Sequence, residues 1–128
     1  NYNIGLLPWT PLAGGALSGK YLRGQKPADG RLVKYPSFMQ RYLNAPSVAA
    51  TEQYEQIAKE AGVSLAALAL AWCRTRWYVS STIIGATSMA QLRENIDAFD
   101  AEKVTLSQEV LKKIDDVHFA CRDPCMIP

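Results

Sequence analysis

Two short apolar runs along the chain predict strands. Residues 4–9 are apolar almost throughout, and prolines at positions 8 and 11 end the run. Residues 79–84 are rich in β-branched side chains, which suit the pleated surface of a strand. Apolar runs without alternation are typical of parallel strands, because helices cover both faces of a parallel sheet. We therefore expect two buried parallel strands.

Two segments between these runs carry apolar residues at helical spacing. Residues 47–61 repeat apolar side chains such as Ile57 every three or four positions, and Gly62 follows as a stop signal. Residues 65–74 come directly after Ser64, which can cap a helix. This second segment is apolar nearly all round, so we expect its helix to be buried on several sides.

Two further helices are predicted after the second strand. Residues 88–99 begin with Ser88-x-x-Gln91, which has the form of a capping box. Residues 107–119 also begin at a serine, and their apolar side chains fall on one face. The members of that face are Val110, Leu111, Ile114 and Val117.

The remaining segments are predicted loops, and the element order indicates the fold class. Residues 11–15 form a glycine-rich turn, and residues 24–46 are rich in Gly, Pro, Lys and Arg without a clear period, which predicts a long surface excursion. Strands alternating with helices indicate an α/β fold with a parallel sheet. Because two strands do not make such a sheet alone, we expect residues 1–128 to be one slice of a larger domain.

Composition and charge exclude several function classes. A chain of 128 residues with 48% hydrophobic content suits one compact unit. Its 14 basic and 12 acidic residues are well mixed, which gives no nucleic-acid-binding surface. The longest apolar stretch, residues 66–73, is too short to span a bilayer, and no direct membrane insertion is expected. The start carries neither a signal peptide nor a methionine, which favours a fragment or a processed product.

The cysteines predict no metal site. Cys73, Cys121 and Cys125 are an odd set, the last two have no second pair of ligands, and His118 is the single histidine. Reduced thiols of a cytoplasmic protein are the better interpretation.

The turn after the second strand is a first candidate site. Gly85 allows close approach of a ligand to the backbone, and free N–H groups at the helix start, residues 88–91, would attract an anion. Glu94 and Asn95 lie one to two turns further on, within reach of a base or ribose. A phosphate-bearing nucleotide fits this layout, and so does an ordinary turn before a capped helix.

The loop after the first strand is a second candidate site. Trp9 ends the strand and could stack on a planar cofactor, while the glycine-rich turn and Lys20 could bind a diphosphate. The segment matches neither the Walker pattern nor G-x-G-x-x-G. The alternative is a strand end with a packed tryptophan and a mobile loop.

Taken together, the two sites resemble a known family. Pro8-Trp9-Thr10-Pro11-Leu12 with Ser18-Gly19-Lys20-Tyr21 resembles the loop after the seventh strand of aldo-keto reductases. Ala71-Trp72-Cys73, then residues 79–88, then Glu94-Asn95-Ile96 resemble their eighth strand and the helices around it. The match covers nearly the whole chain in the right order. It is nearest to the branch of potassium-channel β subunits and related bacterial reductases, although residues 23–42 depart from the channel subunits.

The resemblance implies the C-terminal part of a TIM (β/α)8 barrel, containing strands 7 and 8 with their helices. In such barrels the active site lies on the loops that follow the strands, and the family binds NADP(H) there. Trp77 and Tyr78 are expected to pack as a lid on the barrel end. The cofactor-binding residues implied by the resemblance are Trp9, Thr10, Pro11, Leu12, Ala13, Gly14, Ser18, Lys20, Arg31, Gly85, Thr87, Gln91, Glu94 and Asn95.

In these assignments Trp9 stacks on the nicotinamide, the first loop lines the diphosphate, and Arg31 closes over the cofactor. Gly85, Thr87 and Gln91 surround the adenosine 2′-phosphate, where other members of the family carry Lys and Arg. The family's catalytic aspartate, tyrosine, lysine and histidine have no matching motif here, so no catalytic residue is assigned.

Two functions from different classes remain open at this stage. The first is an NADPH-dependent enzyme that reduces aldehydes or ketones, seen without its N-terminal half. The second is a regulatory protein like the channel β subunits, which senses nicotinamide redox state for a membrane partner. A third alternative, a small helical interaction domain, requires the two strands to be absent. The expected partners are a small carbonyl substrate and either a second copy or the missing N-terminal half.

Overall fold

The structure is a computed structural model that describes residues 4–126. Its α-helices are α1 (Arg31–Lys34), α2 (Ala45–Glu60), α3 (Leu65–Arg74), α4 (Met89–Asp97) and α5 (Gln108–Ala120). Short 3-10 helices span Ala13–Ser18, Leu22–Gly24, Gln40–Leu43 and Pro124–Met126. Helices therefore make up most of the described residues, and the two apolar runs form short parallel contacts between them.

Side-chain caps determine where the long helices begin. Ser64, Ser88 and Ser107 each accept a hydrogen bond from the backbone N–H three residues later, and for α3 and α4 the sequence predicts this cap. Helix α2 begins two residues earlier than predicted, because Asn44 caps it and the following proline lies in the first turn. Proline is tolerated there, since those N–H groups have no helical partner.

Helix α3 is the centre of the core. Leu70 and Ala71 are fully buried, and the helix contacts α2 on one side and α4 on another. Burial on several sides was predicted and is confirmed. The predicted apolar face of α5 is also confirmed, because Ile114 and Val117 are buried against α2.

The two apolar runs are adjacent and parallel, as predicted. Leu6 pairs with Val79 and Trp9 pairs with Ile83. The two bridges lie three positions apart on the first run and four positions apart on the second. The pairing register therefore shifts by one residue between them. Pro8, which has no N–H to donate, lies in this interval. Its carbonyl still accepts a hydrogen bond from the N–H of Ile83 at 3.0 Å.

The prediction that these runs are buried regular strands is wrong for the described chain. Ile4 is 83% exposed, Trp9 65% and Ile83 55%, and the pairing consists of isolated bridges. A parallel strand is buried when it has a neighbour on each edge and helices on both faces. Within residues 4–126 each run is paired along one edge, with the other run. Trp77 is 94% exposed, so the predicted lid-like packing is wrong here for the same reason.

The segment 24–46 is more structured than the predicted surface excursion. It contains α1 and the 3-10 helix Gln40–Leu43, and it buries Leu32 to 2% exposure against Ala16 and Tyr21. This small second cluster packs the segment against the glycine-rich turn. A single buried leucine produces no periodic pattern, which is why the sequence did not indicate it.

No helix within residues 4–126 is both long and apolar enough to cross a membrane. In the same part of the chain, no group of three or more His, Cys, Asp or Glu residues is placed to hold a metal ion.

Candidate functional site

The parallel pairing brings the two candidate loops to one end of the molecule. Trp9 and Ile83 form the bridge nearest the carboxyl ends of both runs. The glycine-rich turn leaves directly after Trp9, and the turn at Gly85 leaves two residues after Ile83. In α/β folds, ligands bind at this edge of a parallel sheet.

The glycine-rich turn has an unusual backbone. Thr10 and Ala13 have φ of 57° and 49°, and Gly14 and Gly15 follow with φ of 66° and 99°. Left-handed values at non-glycine residues cost about 1–3 kcal/mol each and persist when surrounding contacts hold them. Here the carbonyl of Leu12 accepts hydrogen bonds from the N–H groups of Gly15 and Leu17 at 2.8 and 3.2 Å. The turn is therefore a rigid, closely wound loop.

The side chains predicted to bind the diphosphate lie around this turn. The Ser18 hydroxyl donates to the carbonyl of Gly15 at 2.7 Å, which fixes the hydroxyl on the turn. A Cβ placed on Gly15 would lie 3.3 Å from Nζ of Lys20, so the ammonium is beside the backbone. Gly14 is buried against Leu32, whose Cδ2 would lie 3.1 Å from an added Cβ. Pro11, Leu12 and Ala13 are partly buried next to it.

Three cations near the turn differ in their partners. Arg23 donates to the Glu55 carboxylate from its two terminal guanidinium nitrogens, Nη1 and Nη2, at 3.0 and 3.1 Å. The Arg23 guanidinium and then the Lys59 ammonium lower the pKa of the Glu55 carboxyl to about 2. Within residues 4–126, Lys20 and Arg31 form no salt bridge. Arg23 therefore anchors the segment to α2, whereas the Nζ of Lys20 lies 5.4 Å from the centroid of the Tyr21 ring.

The second turn is held by side-chain hydrogen bonds. The Gln91 side-chain oxygen accepts from the N–H and the hydroxyl of Thr87, at 2.9 and 3.0 Å. The N–H of Gln91 donates to the hydroxyl of Ser88 at 3.2 Å. The predicted capping box is thus modified, because Gln91 reaches the residue before the cap. Of the N–H groups at residues 88–91 that were expected to attract an anion, that of Gln91 is already bonded to Ser88.

The two residues predicted to reach the base have structural partners. Asn95 is 3% exposed, and its side-chain N–H donates to the carbonyl of Gly85 at 3.1 Å. The carboxylate of Glu94 accepts a hydrogen bond from the Ser64 hydroxyl at the start of α3. Asn95 therefore holds the Gly85 turn against α4, and Glu94 links α4 to the start of α3. Ser64 and Tyr21 also contact this site, although the sequence does not indicate it. A helix cap and a buried ring serve the fold, so neither carries a functional signal in the sequence.

The exposed groups of the two turns are an aromatic ring, cationic side chains and open backbone. Trp9 presents an exposed ring at the end of the first run. Lys20 lies beside Gly15 without a carboxylate partner among the described residues, Arg31 is exposed in the neighbouring helix α1, and an added Cβ at Gly85 would meet nothing within 4 Å. The donor set suits a dinucleotide, which combines a planar ring with a diphosphate.

Comparison with known proteins gives consistent results. The family model described as "Aldo/keto reductase family" matches residues 1–118. An aldo-keto reductase of Babesia bovis is 40% identical over 129 residues, which cover 99% of this chain and 45% of that protein. A probable voltage-gated potassium channel subunit beta of Oryza sativa subsp. japonica is 44% identical, covering 91% of this chain and 36% of that protein. Protein tas of Escherichia coli K12 is 40% identical, covering 90% and 32%. The chain thus spans less than half the length of these relatives.

Proposed function

We propose that this chain, which belongs to the aldo/keto reductase family, is the C-terminal part of a (β/α)8 barrel and binds NADP(H) with its two loops. The complete barrel would reduce aldehydes or ketones to alcohols. One observation carries the proposal: the parallel bridge between Trp9 and Ile83 brings the glycine-rich turn and the Gly85 turn to the same end of the molecule. The match to the aldo/keto reductase family over residues 1–118 disfavours the third alternative, a small helical interaction domain.

In the proposed reaction this chain binds and orients the cofactor. When bound, the reduced nicotinamide supplies the hydride for the carbonyl carbon. Trp9 would cover one face of the nicotinamide ring, which limits the ring to one orientation. Lys20 and Arg31 would neutralise the diphosphate, and the turn at Thr87 and Gln91 would receive the adenosine 2′-phosphate. The acid that protonates the alkoxide oxygen would come from another part of the barrel.

Replacing Trp9 by alanine in the complete protein tests the cofactor site. Loss of stacking should weaken NADPH binding by about 1–3 kcal/mol, if nicotinamide stacks as a nucleic-acid base does. The matched control is Trp77→Ala. Trp77 is also exposed, but it lies near the amino ends of the paired runs, whereas the proposed site is at their carboxyl ends. Isothermal titration calorimetry gives both dissociation constants. Equal affinities in wild type and Trp9→Ala would mean that the nicotinamide lies elsewhere.

Replacing Gln91 by arginine tests where the 2′-phosphate binds. Gln91 is exposed at a neutral turn, so an added charge should favour NADPH over NADH by about 1 kcal/mol, roughly fivefold. Gln91→Met is the control, because it loses the same bonds to Thr87 without gaining charge. The measurement is the ratio of the two dissociation constants. If this ratio is unchanged in Gln91→Arg, the 2′-phosphate does not bind at this turn.

A second function is favoured by a separate observation. Two relatives at 44% and 43% identity are named probable voltage-gated potassium channel subunits beta, from Oryza sativa and Arabidopsis thaliana. The complete protein could then sense nicotinamide redox state for a membrane partner through the same cofactor site. An intact Asp, Tyr, Lys and His set with turnover on aldehydes would favour the enzyme. Stable co-purification with a channel would favour the regulatory protein.

We also propose a cytoplasmic location. The thiols of Cys73, Cys121 and Cys125 are free, as expected in a reducing compartment.

A further inference from the structure

Tyr21 connects the glycine-rich turn to the segment that carries Arg31. Its side chain is 7% exposed and packs with Ala16 and Leu32. The hydroxyl accepts a hydrogen bond from the backbone N–H of Leu32 at 3.1 Å, in a buried position. Leu32 directly follows Arg31 at the start of α1. The bond therefore fixes the backbone beside the arginine.

The tyrosine ring also fills the space between the two parts. On one side, a Cβ added to Gly15 would lie 3.6 Å from Cε2 of the ring. On the other side, a Cβ added to Gly30 would lie 2.8 Å from Cε1 and 2.9 Å from the hydroxyl oxygen. Gly30, which directly precedes Arg31, is thus pressed against the ring, where a side chain would clash. The ring sets the distance between the glycine-rich turn and α1.

Contacts made by residues before and after α1 also hold this segment in place. The side-chain amide of Gln40 donates to the carbonyl of Leu32 at 2.9 Å, so both backbone groups of this residue are bonded to side chains. Before the segment, Arg23 is bound to Glu55 on α2. The intervening residues are held at both ends, while Arg31 itself is exposed and forms no salt bridge within residues 4–126.

We propose that Tyr21 is a positioning residue that holds Arg31 in place for the diphosphate of the cofactor. This inference rests on the proposed function, because it assumes that the anion beside the glycine-rich turn is the dinucleotide. With the backbone beside Arg31 fixed, the guanidinium samples fewer positions and loses less freedom when the anion arrives, which raises affinity. Without the tyrosine hydroxyl, the buried N–H of Leu32 has no acceptor, and the start of α1 would shift to reach water.

The test is a double-mutant cycle on NADPH binding in the complete barrel protein. Tyr21→Phe keeps the ring and removes the acceptor, and it should weaken NADPH binding roughly tenfold. In an Arg31→Ala background the same change should weaken binding less than twofold, because the residue that Tyr21 positions is gone. Tyr35→Phe is the control, since Tyr35 lies exposed in the same segment. Its affinity should equal that of wild type.

Limited trypsin digestion gives a second readout without the cofactor. Cleavage after Arg31 should become faster in Tyr21→Phe than in wild type or Tyr35→Phe, while cleavage after Lys112 on α5 should keep its rate. Unchanged NADPH affinity in Tyr21→Phe would overturn the inference. An equal loss of affinity with and without Arg31 would also overturn it, because Tyr21 would then act on the fold in general. Failure of wild type to bind NADPH would instead overturn the proposed function and this inference together.

Discussion

The isolated 128-residue chain is expected to show no steady-state reduction of 4-nitrobenzaldehyde by NADPH. Transfer of hydride to a carbonyl requires an acid at the developing alkoxide, which contributes about 10²–10⁴-fold to the rate. No tyrosine with a lysine and an aspartate partner is found within residues 4–126. Tyr54 illustrates the difference, because burial between α2 and α5 raises the pKa of its hydroxyl. A catalytic acid needs a pKa nearer to neutral.

The measurement is the rate of NADPH oxidation by the purified chain, with the complete barrel protein as the positive control. The expected rate equals that of buffer with the same aldehyde concentration. Turnover that scales with the concentration of the purified chain would show that the catalytic acid lies within these residues. The proposed division of the barrel would then be wrong.

The isolated chain is also expected to self-associate or aggregate. Large apolar side chains on the paired runs are open to water, including Ile4, Leu6, Leu7, Trp9 and Ile83. Each run is paired along one edge within the described residues, and open strand edges recruit other strands. Exposed apolar patches recruit partners in the same way. In the complete barrel, neighbouring strands and helices would cover this surface except at Trp9, which is proposed to face the cofactor.

Size-exclusion chromatography with light scattering, followed by thermal melting, measures this directly. We expect species larger than a monomer and a broad transition. Leu7→Lys should reduce the association, because a charge on an open edge opposes strand pairing, and Leu7 lies outside the proposed cofactor contacts. A monodisperse monomer of the wild-type chain with a sharp cooperative transition would contradict the expectation.

The helices could be predicted from the sequence because their signals are local. Ser64, Ser88 and Ser107 each cap the helix that follows, and the periodic apolar residues mark the buried faces. The start of α2 was missed because Pro46 looks like a helix breaker, although a proline in the first turn costs nothing.

Burial could not be predicted in the same way, because it depends on neighbours that are distant in sequence. The runs at residues 4–9 and 79–84 have the composition of buried strands, yet they are largely exposed without further strands beside them. Leu32 shows the reverse case, since it is buried within a segment of polar composition. Its contact partner Tyr21 is 11 residues away, and no periodic pattern joins them.

For the candidate site as well, local features could be predicted from the sequence, whereas contacts between side chains and distant backbone groups could not. The turn residues were found because glycines, a terminal tryptophan and a lysine cluster in sequence. The hydrogen bonds that hold the turns were not found, as with Asn95 on the carbonyl of Gly85 and Gln91 on Thr87. The assignment of these residues to NADP(H) stays a prediction.

The central claim is that the glycine-rich turn and the Gly85 turn hold one dinucleotide. Hydrogen–deuterium exchange of the complete protein, measured by mass spectrometry with and without NADPH, tests this claim most directly. We predict slower exchange in peptides from both residues 10–20 and residues 85–95, with unchanged exchange in α5 as the internal control. Slower exchange in one of the two segments alone, or in neither, would contradict the account.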